Sequence, residues 1–129
     1  MNSDYYTLDN GRQIVDYIAE YQLGFHYGNA AKYVCRAGRK EGNSAEKDLN
    51  KALNYVLSAN HENGFIKRLL LHFYNSWKFN AQTQFATRSI ADILCALITF
   101  EDNKKIARMI VKYMDAHDIK VKDEYRKCI

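Results

Sequence analysis

The chain has no proline in 129 residues. Because proline removes a backbone donor and breaks helix interiors, its absence argues for an all-α fold. Cysteine is scarce, with only Cys35, Cys95 and Cys128 and no CxxC pair, and no signal-peptide pattern precedes them, so the expectation is reduced thiols in a cytosol. Long hydrophobic runs are missing too. The longest, Ile93 to Phe100, is interrupted by Thr99 and falls far short of the roughly 20 apolar residues a membrane helix needs, so no membrane partner is expected. There is no GxxxxGK[ST] loop, which excludes a P-loop kinase. Without a Cys/His cluster or HExxH, structural and catalytic zinc are unlooked for. No pair of glutamates at i, i+3 or i+4 faces a second pair, as a helical Mg-dependent pyrophosphatase requires. We therefore expect no metal and no cofactor.

What is present is the composition of one globular domain: 47% hydrophobic residues, 13% aromatic, and 19 Lys plus Arg against 15 Asp plus Glu, for a net charge of +4. The modest excess tilts the partner list toward anions. Asp9 or Asn10 can cap a first helix with Ile14, Val15, Ile18 and Tyr21 inward, ended by Gly24. A second helix starts between Phe25 and Asn29 and runs to Ala37, with Ala30, Tyr33, Val34 and Ala37 buried and Gly38 as its stop. Asn43 with Glu46 forms a capping-box pattern before Leu49, Ala52, Leu53, Val56 and Leu57, a helix expected to end near Asn63 and Gly64. The stretch from Phe65 to Phe79 is apolar almost all round, as in a central helix or a subunit interface. After a looser polar stretch from Asn80 to Thr87, two further stripes follow: Ile90, Ile93, Leu94, Leu97, Ile98, then Ile106, Met109, Ile110, Tyr113, Met114. Glu101, Asp102 and Asn103 form the turn between them, and 119–129 is expected to fray. The sum is a compact helical bundle of about five to six helices in a single domain 1–129, with a hairpin at 24–62 and a helical extension at 63–129.

The hairpin is where polar side chains are spaced for more than solvation. At about 100° per residue, Asn29, Lys32, Arg36 and Lys40 share one face of the first hairpin helix, with Tyr33 at its border. Like charges three or four apart repel, and an anion relieves that repulsion. Arg39 and Lys40 also precede a helix N-terminus, where free backbone N–H groups favour an anion. Phosphate suits this set, since arginine binds it with a two-pronged contact and lysine as a point charge. Tyr27, Tyr33 and Tyr55 offer rings on which a base can stack. Asp48, among Lys47, Lys51 and Arg36, either holds those cations in place or accepts a proton as a catalytic base. The plainer readings stand beside these. A basic face is often merely solvated, Asp48 with Arg36 or Lys51 can be a structural ion pair, and tyrosines at core spacing are commonly packing residues. As a surface residue, Arg36 would cost no more than about 1 kcal/mol of stability when replaced by alanine. His26, His61, His72 and His117 read as surface or capping residues.

The run GN-x-x-KY-x-x-R-x-G-R-K, followed by DL-x-KA-x-x-Y, resembles a family of small phage-encoded proteins of unknown function, one branch of which is described as phage nucleotide kinases. The matching residues are Gly28, Asn29, Lys32, Tyr33, Arg36, Gly38, Arg39 and Lys40, then Asp48, Leu49, Lys51, Ala52 and Tyr55. The resemblance implies a phage or prophage protein acting with nucleotides in the host cytoplasm. Two functions follow as expectations. In one, a nucleotide phosphate is held by Asn29, Lys32, Arg36, Arg39, Lys40 and Lys51, with Tyr33 and Tyr55 for the base. That site either sequesters a nucleotide signal or, with Asp48 as the catalytic residue, works as a metal-independent phosphotransferase. In the other, the protein blocks a host defence complex, in the manner of an anti-CRISPR or host-takeover factor. A homo-oligomer is expected in both.

Overall fold

The computed structural model describes residues 4–40, 42, 44–59, 64–79 and 88–129. Among them a 3-10 turn at Asp4–Tyr6 precedes seven α-helices: α1 Ile14–Glu20, α2 Gly24–Arg36, α3 Ala45–Leu57, α4 Gly64–Lys78, α5 Arg88–Ile98, α6 Asn103–Ala116 and α7 Asp123–Arg126. The described residues contain no strand, only one isolated antiparallel bridge between Thr7 and Gln13. The architecture is the all-α bundle that the missing proline and the helical stripes predict.

Several boundaries move, each for a local reason. Helix α1 starts at Ile14, later than an Asp9 or Asn10 cap implies, because the Asn10 side chain is spent on the Tyr17 hydroxyl (2.7 Å) and the Arg12 N–H (3.0 Å), while Asp16 accepts from the Gln13 N–H (3.1 Å). Gly24, expected to end α1, opens α2 instead with φ +77°. Gly38 does follow the end of α2, in the left-handed region at φ +75° where glycine is at ease. Helix α3 is capped by Ser44, whose hydroxyl accepts from the Lys47 N–H at 3.1 Å; Asn43 lies outside the described residues. The same helix stops at Leu57, short of the expected Asn63–Gly64. There the Asn103 side chain donates to the carbonyls of Val56 and Ala59, supplying from another helix the partners that the last turn lacks.

Helices α2 and α3 form the hairpin at the centre of the bundle; α1 and α5 pack on α2, and α6 packs on α3 and α5. One core cluster draws on both halves of the chain, with Ile14, Leu49, Leu53, Leu94, Leu97, Ile98, Ile106, Ile110 and Met114 all fully buried. The stripes predicted for α5 and α6 supply many of its largest side chains, with Ile90, Met109 and Tyr113 at its margin.

Two regions depart from expectation. Helix α4 is not central: Phe65, Ile66, Leu70, Phe73, Tyr74 and Trp77 are exposed, and among its described side chains only Asn75 is buried. The C-terminal segment does not fray. Val121 enters the core, the Asn50 side chain bonds the Lys120 carbonyl and the Lys122 N–H (3.0 and 2.9 Å), and Arg126 grips Asp115 with both terminal nitrogens (2.7 and 3.2 Å). A buried valine and a side chain imitating a backbone ladder hold that segment against α3.

Candidate functional site

The hairpin brings the sequence-selected residues together, but sorts them into a buried group and a surface group. Arg36 is 7% exposed and Asp48 0%. An Arg36 terminal nitrogen donates to Asp48 Oδ1 at 2.7 Å, and the other donates to the Tyr6 hydroxyl at 3.2 Å. Burial works against the guanidinium charge, yet the hydrogen bond and charge of Asp48 outweigh it and raise the Arg36 pKa. Arg36 is therefore not the surface arginine that its helical position suggests, because the turn at Tyr6 covers it. Arg39 is likewise engaged, donating to the carbonyls of Thr7 (2.9 Å) and Cys35 (3.3 Å). These two arginines tie the N-terminal turn, α2 and α3 to one another.

The surface group is aromatic and lysine-rich. The rings of Tyr33 and Tyr55 lie parallel, with centroids 5.8 Å apart and planes 12° apart, on the seam between α2 and α3. Phe25 meets Tyr55 edge-on at 5.7 Å, and His26 stands 6.4 Å from the same ring. The Lys51 ammonium sits 5.3 Å from the Tyr33 centroid and the Arg36 guanidinium 4.8 Å, both within cation–π range. Lys40 reaches over Tyr5 at 5.8 Å. Asn29 turns back to its own helix, donating to the Phe25 carbonyl at 2.8 Å, and Lys32 is half-buried beside it. Lys51 also lines a cavity of about 340 Å³ with Ser44, Glu46, Lys47, Asn50, Asn54, Lys122 and Tyr125. Among the described residues Lys32, Lys40, Lys47, Lys51 and Lys122 form no salt bridge.

Sequence reasoning left Lys122, Asn54 and Tyr125 out of the site, since nothing in their spacing shows that the C-terminal segment lies along α3. Lys47 belonged to the hairpin by sequence but not to the expected ligand set. Among the described residues no three His, Cys, Asp or Glu side chains are grouped to hold a metal ion, and no helix is long and apolar enough to cross a membrane.

The N-terminal part of this helical bundle has known relatives. Residues 2–57, which end with the last residue of α3, match a family described as "Protein of unknown function (DUF3310)". The chain is 36% identical over 59 residues to the SaV protein of Lactococcus phage SK1, covering 42% of this chain and 46% of that protein. It is 38% identical over 57 residues to the SaV protein of Lactococcus phage p2, covering 40% and 44%. The chain thus spans less than half the length of the curated relatives it matches. No solved structure matches. These similarities support a small phage protein of unknown function.

Proposed function

We propose that the outer surface of the α2–α3 hairpin binds a nucleotide, with the phosphates in the lysine-lined cavity and the base against the Tyr33–Tyr55 pair. The observation that carries this reading is the position of Lys51, which belongs both to the aromatic seam and to the cavity with Lys47 and Lys122. A nucleotide needs those two surfaces side by side, one flat and apolar and one cationic. The cavity volume of about 340 Å³ falls at the lower end of small-ligand sites. Lys32 and Lys40 add positive potential from α2 and the loop after it, while Arg36 and Arg39 hold the scaffold and make no ligand contact. Catalysis by Asp48 is not part of the proposal, because a fully buried carboxylate bonded to Arg36 has no path to a substrate hydroxyl. With Asp48 withdrawn into the core, the role we assign to the site is retention of a nucleotide, such as a host signal.

The test is thermal shift and calorimetry against mono-, di-, tri- and cyclic nucleotides and inorganic phosphate, with and without Mg, at low and physiological salt. A ligand present at 100 times its Kd stabilises the folded state by about 2.7 kcal/mol, so binding raises the melting point. Lys51→Ala should abolish the shift, Lys47→Ala and Lys122→Ala should weaken it, and Tyr33→Ala should weaken nucleotides but not phosphate. No shift with any of these ligands overturns the proposal.

A further inference from the structure

Helix α4 is mounted the wrong way round for a surface helix. The side it turns toward the domain carries Asn75, 1% exposed, which donates to the carbonyls of Tyr21 (3.0 Å) and Ile98 (2.9 Å), and His72, which meets the Thr99 carbonyl at 2.8 Å. Below them Phe79 packs edge-on against Tyr17 and Tyr21, and Lys78 pairs with Glu20 at 3.9 Å. The opposite side presents Ile66, Leu70, Phe73 and Trp77, flanked by Phe65 and Tyr74, all between 53 and 82% exposed. Polar latches thus fix the orientation of an apolar face that points away from the core.

We propose that this face is a self-association surface, on which α4 of a second copy of this chain packs. The first argument is periodicity. The steps from Ile66 to Leu70, Phe73 and Trp77 alternate four, three and four residues, the 3.5-residue repeat of a helix that meets another helix along a seam. No charged or polar side chain interrupts those four positions, so the seam offers a matching seam nothing to desolvate. The second argument is area. Four aromatic side chains, each worth roughly 150–250 Å² when buried, and exposed here by half to four-fifths, combine with Ile66 and Leu70 into roughly 700 Å² per copy. That exceeds the roughly 300–600 Å² of the largest apolar patch on a typical monomer. Two copies related by a two-fold axis present the same patch to each other and can bury up to about 1,400 Å², which reaches the range of about 1,200–2,000 Å² for stable interfaces. The inference stands apart from the nucleotide reading, since α4 contributes no residue to the lysine-lined cavity.

The test uses the full chain. Light scattering coupled to size exclusion should give twice the 15.0 kDa chain mass at about 100 µM. Trp77 is the only tryptophan, so its fluorescence reports the seam without a label. Its emission should be blue-shifted and shielded from acrylamide in the dimer, and should move to the solvent-exposed position on dilution. Leu70→Asp, a change at an exposed position, should raise the dimer Kd at least about 30-fold while leaving the helical circular dichroism intact; Phe73→Ser serves as an independent second variant. A 15.0 kDa species at every concentration with solvent-exposed Trp77 overturns the proposal, and would leave the face to a foreign protein such as a host defence component. A dimer unaffected by both variants overturns it equally, because the contact would then lie elsewhere.

Discussion

Replacing Asp48 by alanine tests whether the pair it forms with Arg36 is structural. The substitution removes the 2.7 Å partner of a guanidinium that is 7% exposed, and leaves the Tyr6 hydroxyl as its described side-chain acceptor. Breaking a buried ion pair from one side costs about 3–5 kcal/mol, most of it from the charge left behind. Per-residue unfolding entropies near 2.1 cal/mol/K give a domain of this length a drop of about 4 °C per kcal/mol, so the melting point should fall by roughly 10–20 °C. The pair is incompletely satisfied, because Arg36 Nε and Asp48 Oδ2 are buried with no hydrogen-bond partner among the described residues. Its net contribution against an apolar replacement is therefore small, and the double variant Arg36→Met with Asp48→Leu should recover most of the lost stability. Urea unfolding followed by circular dichroism on the wild type, Arg36→Met, Asp48→Leu and the double variant gives the coupling energy. A loss below about 1 kcal/mol for Asp48→Ala would match an exposed pair and refute the argument.

Two other perturbations probe separate parts of the bundle. Asn75→Leu leaves the Tyr21 and Ile98 carbonyls without their side-chain donor; at about 1–3 kcal/mol for each buried group, urea unfolding should show a loss of about 2–6 kcal/mol, with faster amide exchange in α4. Burial pushes the Cys35 thiol up to about 11, although the Arg39 charge and hydrogen bond pull it down, and burial also pushes Cys95 up to about 11. Both should therefore react slowly with a disulfide reagent at about pH 8, where exposed Cys128 reacts fast. The same shift fixes a sign. An unfolded thiol ionises first, near 9.0, so the stability held by the protonated buried form is complete below that pH and is lost as pH rises through about 11. The urea midpoint should fall across that window, and less steeply in Cys35→Ala.

Much of the fold was legible because helical periodicity is a local property. The stripes of α5 and α6, the Gly38 stop and the pairing of the two hairpin helices all follow from neighbours within a few residues. Boundaries such as the end of α3 were not, since Asn103 caps it from 44 residues away in sequence. The candidate site divides along the same line. Spacing placed Lys32, Tyr33, Arg36, Lys51 and Tyr55 on facing helices, and the structure does bring Tyr33, Tyr55, Lys51 and Arg36 together. Whether a given cation faces solvent depends on what covers it, and here the turn at Tyr6 hides Arg36 while the C-terminal segment adds Lys122 to the surface. The direction in which α4 turns its apolar side was also beyond the sequence. An apolar face requires cover but does not state from where, and two carbonyls at the ends of other helices, claimed by Asn75, turned it outward. The sequence determined which segments are helical and where their apolar stripes run, because those depend on short-range geometry; tertiary structure alone decided which charges are buried and which apolar face is left exposed, because burial depends on residues distant in the chain.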